Sequence, residues 1–166
     1  MPPDEQVPTD RPAERLSLEQ ATSHLLEECR TIVPGVQAVF GFQLIAVFNQ
    51  GFGEKLSAAE QRVHLAAIAL VVVAMALVMA PAALHRQAEP RAVSGRFLRV
   101  ASRLLLWSLA PLAVGLCLDV YLVARVVLRA TPWASVTAAA LLVALGTFWY
   151  ALPHHLAARW NAEDGP

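Results

Sequence analysis

The sequence predicts an all-α integral membrane protein: a four-helix up-down bundle with an amphipathic N-terminal helix. The first observation is composition, because 57% of the 166 residues are hydrophobic and only 16% are charged, which is too apolar for an ordinary soluble domain. The second is that the charged residues avoid four long stretches of the chain. Each stretch has roughly the 20 residues needed to cross about 30 Å of hydrocarbon.

The same composition argues against several functional classes. Equal numbers of basic and acidic residues, 13 of each, do not favour a nucleic-acid partner, which requires a basic surface. Two cysteines cannot form a disulfide scaffold or a four-ligand zinc site. Nucleophile and phosphate-binding motifs are absent, so we expect no enzyme activity, no catalytic residue, no cofactor and no metal. The expected partners are the lipid bilayer and, in addition, a second copy of the chain or other membrane proteins.

The N-terminal region predicts two segments. Residues 1–14 are rich in proline and acidic residues, which is typical of a disordered tail. From residue 15 onward, apolar residues recur at spacings of three and four, as on one face of a helix. These residues are Leu18, Ala21, Leu25, Cys29 and Ile32. We expect this amphipathic helix to dock on the bundle and to join the first span at Pro34 and Gly35.

A membrane domain of residues 15–155 follows, and residues 156–166 form a short C-terminal tail. The predicted spans are residues 31–53, 65–84, 104–124 and 133–153. Their glycines and prolines are compatible with helices, because transmembrane helices tolerate both. The first, second and fourth spans contain no charged residue, whereas the third contains Asp119.

Small residues predict where the helices pack, because helices in lipid approach closely at such positions. On the third span, Ser108, Gly115 and Asp119 share one side, so we expect Asp119 to point into the bundle. The corresponding predicted seams are Ala69, Ala76, Ala80 and Ala83 on the second span, and Thr137, Ala140, Ala144, Thr147 and Ala151 on the fourth. The short connections favour antiparallel neighbours.

The distribution of basic residues predicts the orientation. One side of the membrane would carry Arg11, Arg15, Arg30, Arg86, Arg91, Arg96, Arg99, Arg103 and Arg159, and the other side Lys55, Arg62, Arg125 and Arg129. Because basic residues are enriched on the cytoplasmic side, we expect both termini in the cytoplasm. The expected location is the bacterial cytoplasmic (inner) membrane, crossed several times.

Asp119 is the one acidic residue inside a predicted span, and two interpretations of it remain open. It lies about 22 Å from the cytoplasmic end of the third span, in the outer third of the bilayer. It could serve as a proton or cation site. Alternatively, it is a structural residue that pairs with Asn49 of the first span, which reaches the same depth, or with Arg125 one to two turns further along.

The cytoplasmic ends of the spans collect further polar residues. The candidate polar cluster consists of Glu28, Arg30, Gln37, His85 and Arg86, with His154 and His155 at the same depth. It could bind a divalent metal or relay protons. Alternatively, Glu28 pairs with Arg30 or Arg86 while the other side chains reach the lipid head groups. His24 and His64 are isolated in the sequence, so we expect both to be solvated. Gln37 and Gln43 are expected to form hydrogen bonds between helices.

Three stretches carry a resemblance to a known family: residues 25–30 (LLEECR), residues 34–37 (PGVQ) with the aromatic residues after them, and residues 80–86 (APAALHR). Over residues 15–125 the chain resembles an uncharacterised family of small bacterial four-span membrane proteins, described as a domain of unknown function and sometimes labelled sodium:proton antiporter. Cys29 stands where that family usually has leucine. The resemblance implies that the five residues of the polar cluster belong together.

Two functions therefore remain. The favoured one is a non-enzymatic structural or accessory membrane protein, because one off-centre aspartate between otherwise apolar seams offers little water-lined path. The alternative is a small proton-coupled or cation transporter that uses Asp119 or the cluster of Glu28 and His85.

Overall fold

The computed structural model describes residues 17–88 and 94–163, and all regular structure in these ranges is helical. The helices are α1 (Leu18–Val47), α2 (Gly51–Lys55), α3 (Ala58–Ala88), α4 (Gly95–Leu128), α5 (Thr131–Gly146) and α6 (Leu152–Glu163), with a π-helical segment, Thr147–Ala151, between α5 and α6. α1, α3, α4 and the stretch Thr131–Trp160 are long and apolar enough to cross a membrane. The predicted all-α, four-helix membrane fold is confirmed. The predicted tail, residues 1–14, lies outside the described residues.

The N-terminal amphipathic segment and the first span form one continuous helix. Ser17 caps α1 in a capping box, since its side chain accepts from the Gln20 N–H and the Gln20 side chain accepts from the Ser17 N–H. The helix then passes through Pro34, as membrane helices commonly do. The predicted joint at Pro34 and Gly35 is therefore wrong. Leu25 and Cys29 of the predicted apolar face are buried, whereas Leu18 is 48% exposed.

α1 ends at Val47, six residues before the predicted end of the first span. The cause is local: the Asn49 side chain accepts a hydrogen bond from the Gly51 N–H (3.1 Å) and the Phe48 N–H donates to the Ile45 carbonyl (3.1 Å). Asparagine stabilises such a turn by bonding to the backbone two residues on. The short helix α2 follows, and α3 begins after Ser57, whose N–H donates to Glu60 Oε2 (2.8 Å).

The most extensive packing in the bundle is between α3 and α4. On α3 the buried residues Ala67, Val71, Ala74 and Val78 follow spacings of three and four. The α4 side carries Ser108 and Gly115, both buried, which confirms the predicted seam on that helix. The predicted seam on α3 is wrong, because Ala69, Ala76 and Ala83 are exposed and Ala80 is half-buried.

Gly115 explains how the branched side chain of Val71 fits into this seam. A Cβ atom at Gly115 would lie 3.1 Å from Val71 Cγ2 and 3.2 Å from the backbone oxygen of Ala67. Both contacts are closer than ordinary van der Waals separation. The missing side chain of α4 therefore makes room for the branched side chain of α3, and the two backbones approach closely at this level.

The fourth span packs mainly on α4. Ala134 is the one residue of α5 that is buried, and the predicted seam on this span is wrong, since Thr137, Ala140, Thr147 and Ala151 are exposed and Ala144 is half-buried. The threonine hydroxyls bond within the helix instead, from Thr137 to the Trp133 carbonyl (2.9 Å) and from Thr147 to the Val143 carbonyl (2.7 Å). A threonine hydroxyl is satisfied in this way without a neighbouring helix. Helix α6 continues to Glu163, into the predicted C-terminal tail.

Candidate functional site

Polar side chains from three helices meet at the end of the bundle where α1 and α4 end and α3 begins. Gln43 lies four residues before the end of α1, His64 six residues after the start of α3, and Asp119 nine residues before the end of α4. At about 1.5 Å per residue, all three lie within roughly 14 Å of their helix ends. The up-down order of the helices therefore brings them to similar depths.

The three side chains form a connected network. Gln43 Nε2 donates to Asp119 Oδ2 (2.6 Å), and His64 Nδ1 lies 3.3 Å from Asp119 Oδ1. On its other side, the His64 ring places Nε2 3.0 Å from the backbone oxygen of Gln43. Gln43 and His64 are 4% and 7% exposed. Each of α1, α3 and α4 is thus tied to the other two by a polar contact.

The contacts of His64 determine where its proton lies. A carbonyl oxygen only accepts hydrogen bonds, so we assign the proton to Nε2, which faces the Gln43 carbonyl. Nδ1 then faces a carboxylate oxygen of Asp119 at 3.3 Å. Asp119 therefore meets the imidazole at the ring nitrogen that does not face the Gln43 carbonyl.

The partners of Asp119 differ from those predicted. Asn49 bonds to the Gly51 backbone, and the Arg125 side chain lies 3.4 Å from Glu60 Oε1. Asp119 is instead contacted by Gln43, for which an interhelical hydrogen bond was expected and is confirmed. The predicted solvation of His64 is wrong. Asp119 meets Gln43 rather than Asn49 because α1 ends early, at Val47.

The network leaves two buried acceptors unused. Gln43 Oε1 and Asp119 Oδ1 have no hydrogen-bond partner among residues 17–88 and 94–163. The 3.3 Å contact of Asp119 Oδ1 with His64 Nδ1 lacks hydrogen-bond geometry. A buried acceptor without a donor is unfavourable by about 1–3 kcal/mol, so both atoms can accept from a molecule that reaches them.

A cavity of about 540 Å³ lies beside Gln43 and Asp119, between α1, α2 and α4. Its polar lining consists of Gln43, Asn49, Lys55, His64 and Asp119, and its walls include Phe42, Phe52, Leu122, Val123 and Val126. The Phe52 ring meets the His64 ring edge-on, with ring centroids 5.3 Å apart. Phe42 is 72% exposed, so the cavity reaches the outer surface of the helices.

The predicted cluster at the opposite end is not held together by polar contacts. In the part of the chain that the structure describes, no hydrogen bond or ion pair joins the five residues Glu28, Arg30, Gln37, His85 and Arg86, and no three His, Cys, Asp or Glu side chains gather to hold a metal ion. The expected pairing of Glu28 with an arginine is therefore not formed. The physical reason is the rotation of α1, which buries Leu25, Cys29 and Val36 and leaves its polar cluster residues exposed.

His85 is the one member of that cluster that is half-buried. Its ring packs against Phe97 with centroids 5.5 Å apart, and its Nδ1 atom has no partner among the described residues. His154 and His155 are exposed and contact each other edge-on, at 6.2 Å between ring centroids. These histidines therefore add no polar contact to the cluster.

A family model described as "Family of unknown function (DUF6328)" matches residues 10–153. The matched region includes Gln43, His64 and Asp119 and the whole lining of the cavity. No curated protein and no solved structure matches the chain.

Proposed function

The chain belongs to this family of unknown function, and from that premise we propose that it is a non-enzymatic accessory protein of the bacterial cytoplasmic membrane. In this role the helical bundle acts through other membrane proteins or through a second copy of itself rather than by moving a solute. The network of Gln43, His64 and Asp119 then has an architectural task, which is to hold three helices at a defined rotation and depth.

The observation that carries this proposal is the closed seam between α3 and α4. Ala67, Val71 and Ala74 are fully buried and Val78 is 1% exposed. The one hydroxyl buried in this seam, on Ser108, donates to the Leu105 carbonyl of its own helix (2.6 Å). An ion that crosses a membrane requires polar groups along its path. The seam that leads away from Asp119 is lined by alanine and valine instead, which supports an accessory role.

One observation favours a second function, proton-coupled or cation transport. His64 Nδ1 and Asp119 Oδ1 lie 3.3 Å apart next to a cavity that opens toward the surface of the bundle, and ionisable residues inside membranes often mark proton pathways. In this alternative, Asp119 would gain and lose a proton during each cycle.

A flux measurement on the Asp119→Asn variant separates the two functions. Asparagine can accept from Gln43 through its oxygen and donate to His64 Nδ1 through its amide, so we expect the fold to be retained, with a loss of less than about 1 kcal/mol. Proteoliposomes loaded with a pH-sensitive dye are expected to show the same proton leak with wild-type protein, Asp119→Asn or no protein.

Crosslinking in native membranes is then expected to recover a second membrane protein, or a second copy, in fixed ratio to this chain.

The transport alternative makes the opposite prediction in the same vesicles. Proton or sodium flux by the wild-type protein that is lost in Asp119→Asn would overturn the accessory role. The matched control is Asn49→Ala, whose side chain lines the cavity but accepts from the Gly51 N–H and forms no hydrogen bond with Asp119. Flux that survives in Asn49→Ala would assign the loss to the titratable carboxylate itself.

The orientation is a separate prediction. From the distribution of basic residues and the positive-inside rule, we propose that both termini face the cytoplasm and that the network lies near the opposite surface. A reporter enzyme active only in the periplasm, fused after Pro166, is expected to be inactive, and the same reporter inserted after Lys55 is expected to be active. The reverse pattern would invert the topology and place the cavity on the cytoplasmic side.

A further inference from the structure

We propose that the cavity between α1, α2 and α4 binds an uncharged, lipid-soluble molecule with an apolar aromatic body and a head group that donates hydrogen bonds, such as a hydroxylated aromatic compound. Gln43 Oε1 and Asp119 Oδ1 receive those hydrogen bonds. This ligand site goes beyond the accessory role, which does not require it.

The unused acceptors identify the chemistry of the head group. Gln43 is 4% exposed, and its Oε1 atom has no donor among the described residues, while its Nε2 atom is already committed to Asp119. Asp119 Oδ1 also lacks a hydrogen-bond donor. Both atoms belong to residues that line the cavity. Because carbonyl and carboxylate oxygens accept but do not donate, the complementary ligand presents O–H or N–H groups.

The charges around the cavity select an uncharged ligand. The cavity is lined by one ammonium group, on Lys55, and one carboxylate, on Asp119, so its formal charges balance. An anion or a cation would each leave one charge in the cavity without a counter-charge. The nearby charges of Glu60 and Arg125 neutralise each other at 3.4 Å. Only an uncharged donor satisfies the acceptors without leaving a net charge in apolar surroundings.

The size and walls of the cavity define the rest of the molecule. Its volume of about 540 Å³ falls within the range of roughly 300–1,000 Å³ that is usual for small-molecule sites. Two phenylalanines, Phe42 and Phe52, and several aliphatic side chains form the walls, which favours an aromatic or aliphatic body. Because Phe42 and Val127 are 72% and 71% exposed, the ligand would enter from the lipid side.

The test uses four probes with the same hexylphenyl body, titrated into full-length protein in phosphatidylcholine nanodiscs, with empty nanodiscs as the background. The probes are 4-hexylresorcinol, its dimethyl ether, 4-hexylbenzylamine and 4-hexylbenzoate. We expect saturable 1:1 binding of 4-hexylresorcinol. The ether lacks the donors, the amine is a cation and the benzoate is an anion, so each is expected to bind at least about tenfold more weakly, the factor equivalent to one hydrogen bond of about 1.4 kcal/mol.

Variants locate the binding in this cavity. Val123→Trp fills the cavity from an outward-facing position that is 63% exposed, and it is expected to weaken 4-hexylresorcinol binding at least about tenfold. The matched control is Val73→Trp, at an exposed position of α3 outside the cavity, which is expected to bind normally. Gln43→Met keeps the approximate size of the side chain, removes Oε1, and is expected to reduce the preference for the resorcinol over its ether.

Four results would each overturn the proposal. Equal binding of the resorcinol and its ether would show that hydrogen-bond donors are not recognised. Tighter binding of the amine would show that the site prefers a cation. Unchanged binding in Val123→Trp would place the ligand elsewhere. A titration indistinguishable from empty nanodiscs would show that the cavity holds no such molecule. None of these results depends on whether the protein conducts protons, so the accessory role is tested separately.

Discussion

Replacement of His64 by leucine is expected to lower the free energy of unfolding by about 3 kcal/mol, because it breaks a largely buried polar pair at one partner. The His64 side chain is 8% exposed and that of Asp119 22%. Without the imidazole, the carboxylate keeps only the Gln43 amide as a polar contact, and the Gln43 carbonyl loses the donor on His64 Nε2. The measurement is reversible unfolding in mixed micelles by titration with an anionic detergent.

A double-mutant cycle assigns this loss to the pair. Because removal of both partners leaves no uncompensated group between them, His64→Leu with Asp119→Leu is expected to cost about 2 kcal/mol less than the sum of the single variants. The matched control is Glu60→Gln, which neutralises one member of the more exposed Arg125–Glu60 pair, 35% and 17% exposed. It is expected to cost clearly less than His64→Leu, because solvent screens the more exposed pair. A His64→Leu variant as stable as Glu60→Gln would contradict the interhelical role of the network.

The second large effect is expected at Gly115, where alanine should lower the free energy of unfolding by about 2 kcal/mol. The added Cβ atom would lie 3.1 Å from Val71 Cγ2 and 3.2 Å from the backbone oxygen of Ala67. A side chain can rotate away, but the Ala67 oxygen cannot move unless α3 itself shifts. We therefore expect α3 and α4 to separate locally, with loss of the buried contacts on either side of Gly115. The same micelle unfolding assay measures this effect.

Two variants test this explanation. Gly41→Ala adds the same atom in α1, where nothing lies within 4 Å of the new Cβ, and alanine has the higher helix propensity. This control should be neutral or slightly stabilising. In the Gly115→Ala background, Val71→Ala removes the contact with the side chain but not the one with the Ala67 backbone, so it should restore only part of the stability. If Gly115→Ala were as stable as Gly41→Ala, the helices would not approach as closely as the structure shows.

The position of the polar site could be derived only partly from the sequence. The spacing of Ser108, Gly115 and Asp119 placed the carboxylate inside the bundle, and the structure confirms that arrangement on α4. Its partners were missed because the first span was extended to residue 53, whereas α1 ends at Val47. Six residues correspond to about 9 Å along a helix axis, enough to place Asn49 where Gln43 lies. The Asn49–Gly51 turn was the local signal that could have corrected the prediction.

Hydrophobic periodicity could not predict which face of α3 is buried. Residues 65–84 are almost entirely apolar, so every face of the helix resembles a buried face and the 3.6-residue period shows no contrast. Small residues then indicated Ala69 and Ala76, which are exposed, while Val71 and Val78 occupy the seam. The face that is buried depends on the partner helix, because Gly115 supplies the space that Val71 fills.

Composition and residue spacing were sufficient to predict the number of long helices, their apolar character and the inward position of Asp119, because these are local properties of the chain. The packing of the helices brings Gln43 and His64 around Asp119 and leaves the cluster of Glu28 and His85 without polar contacts between its members. Those contacts depend on the rotation and axial shift of three helices relative to one another. In lipid, the rotation and the axial shift of a helix depend on how its side chains fit against those of the neighbouring helices. No single segment of the sequence specifies that fit.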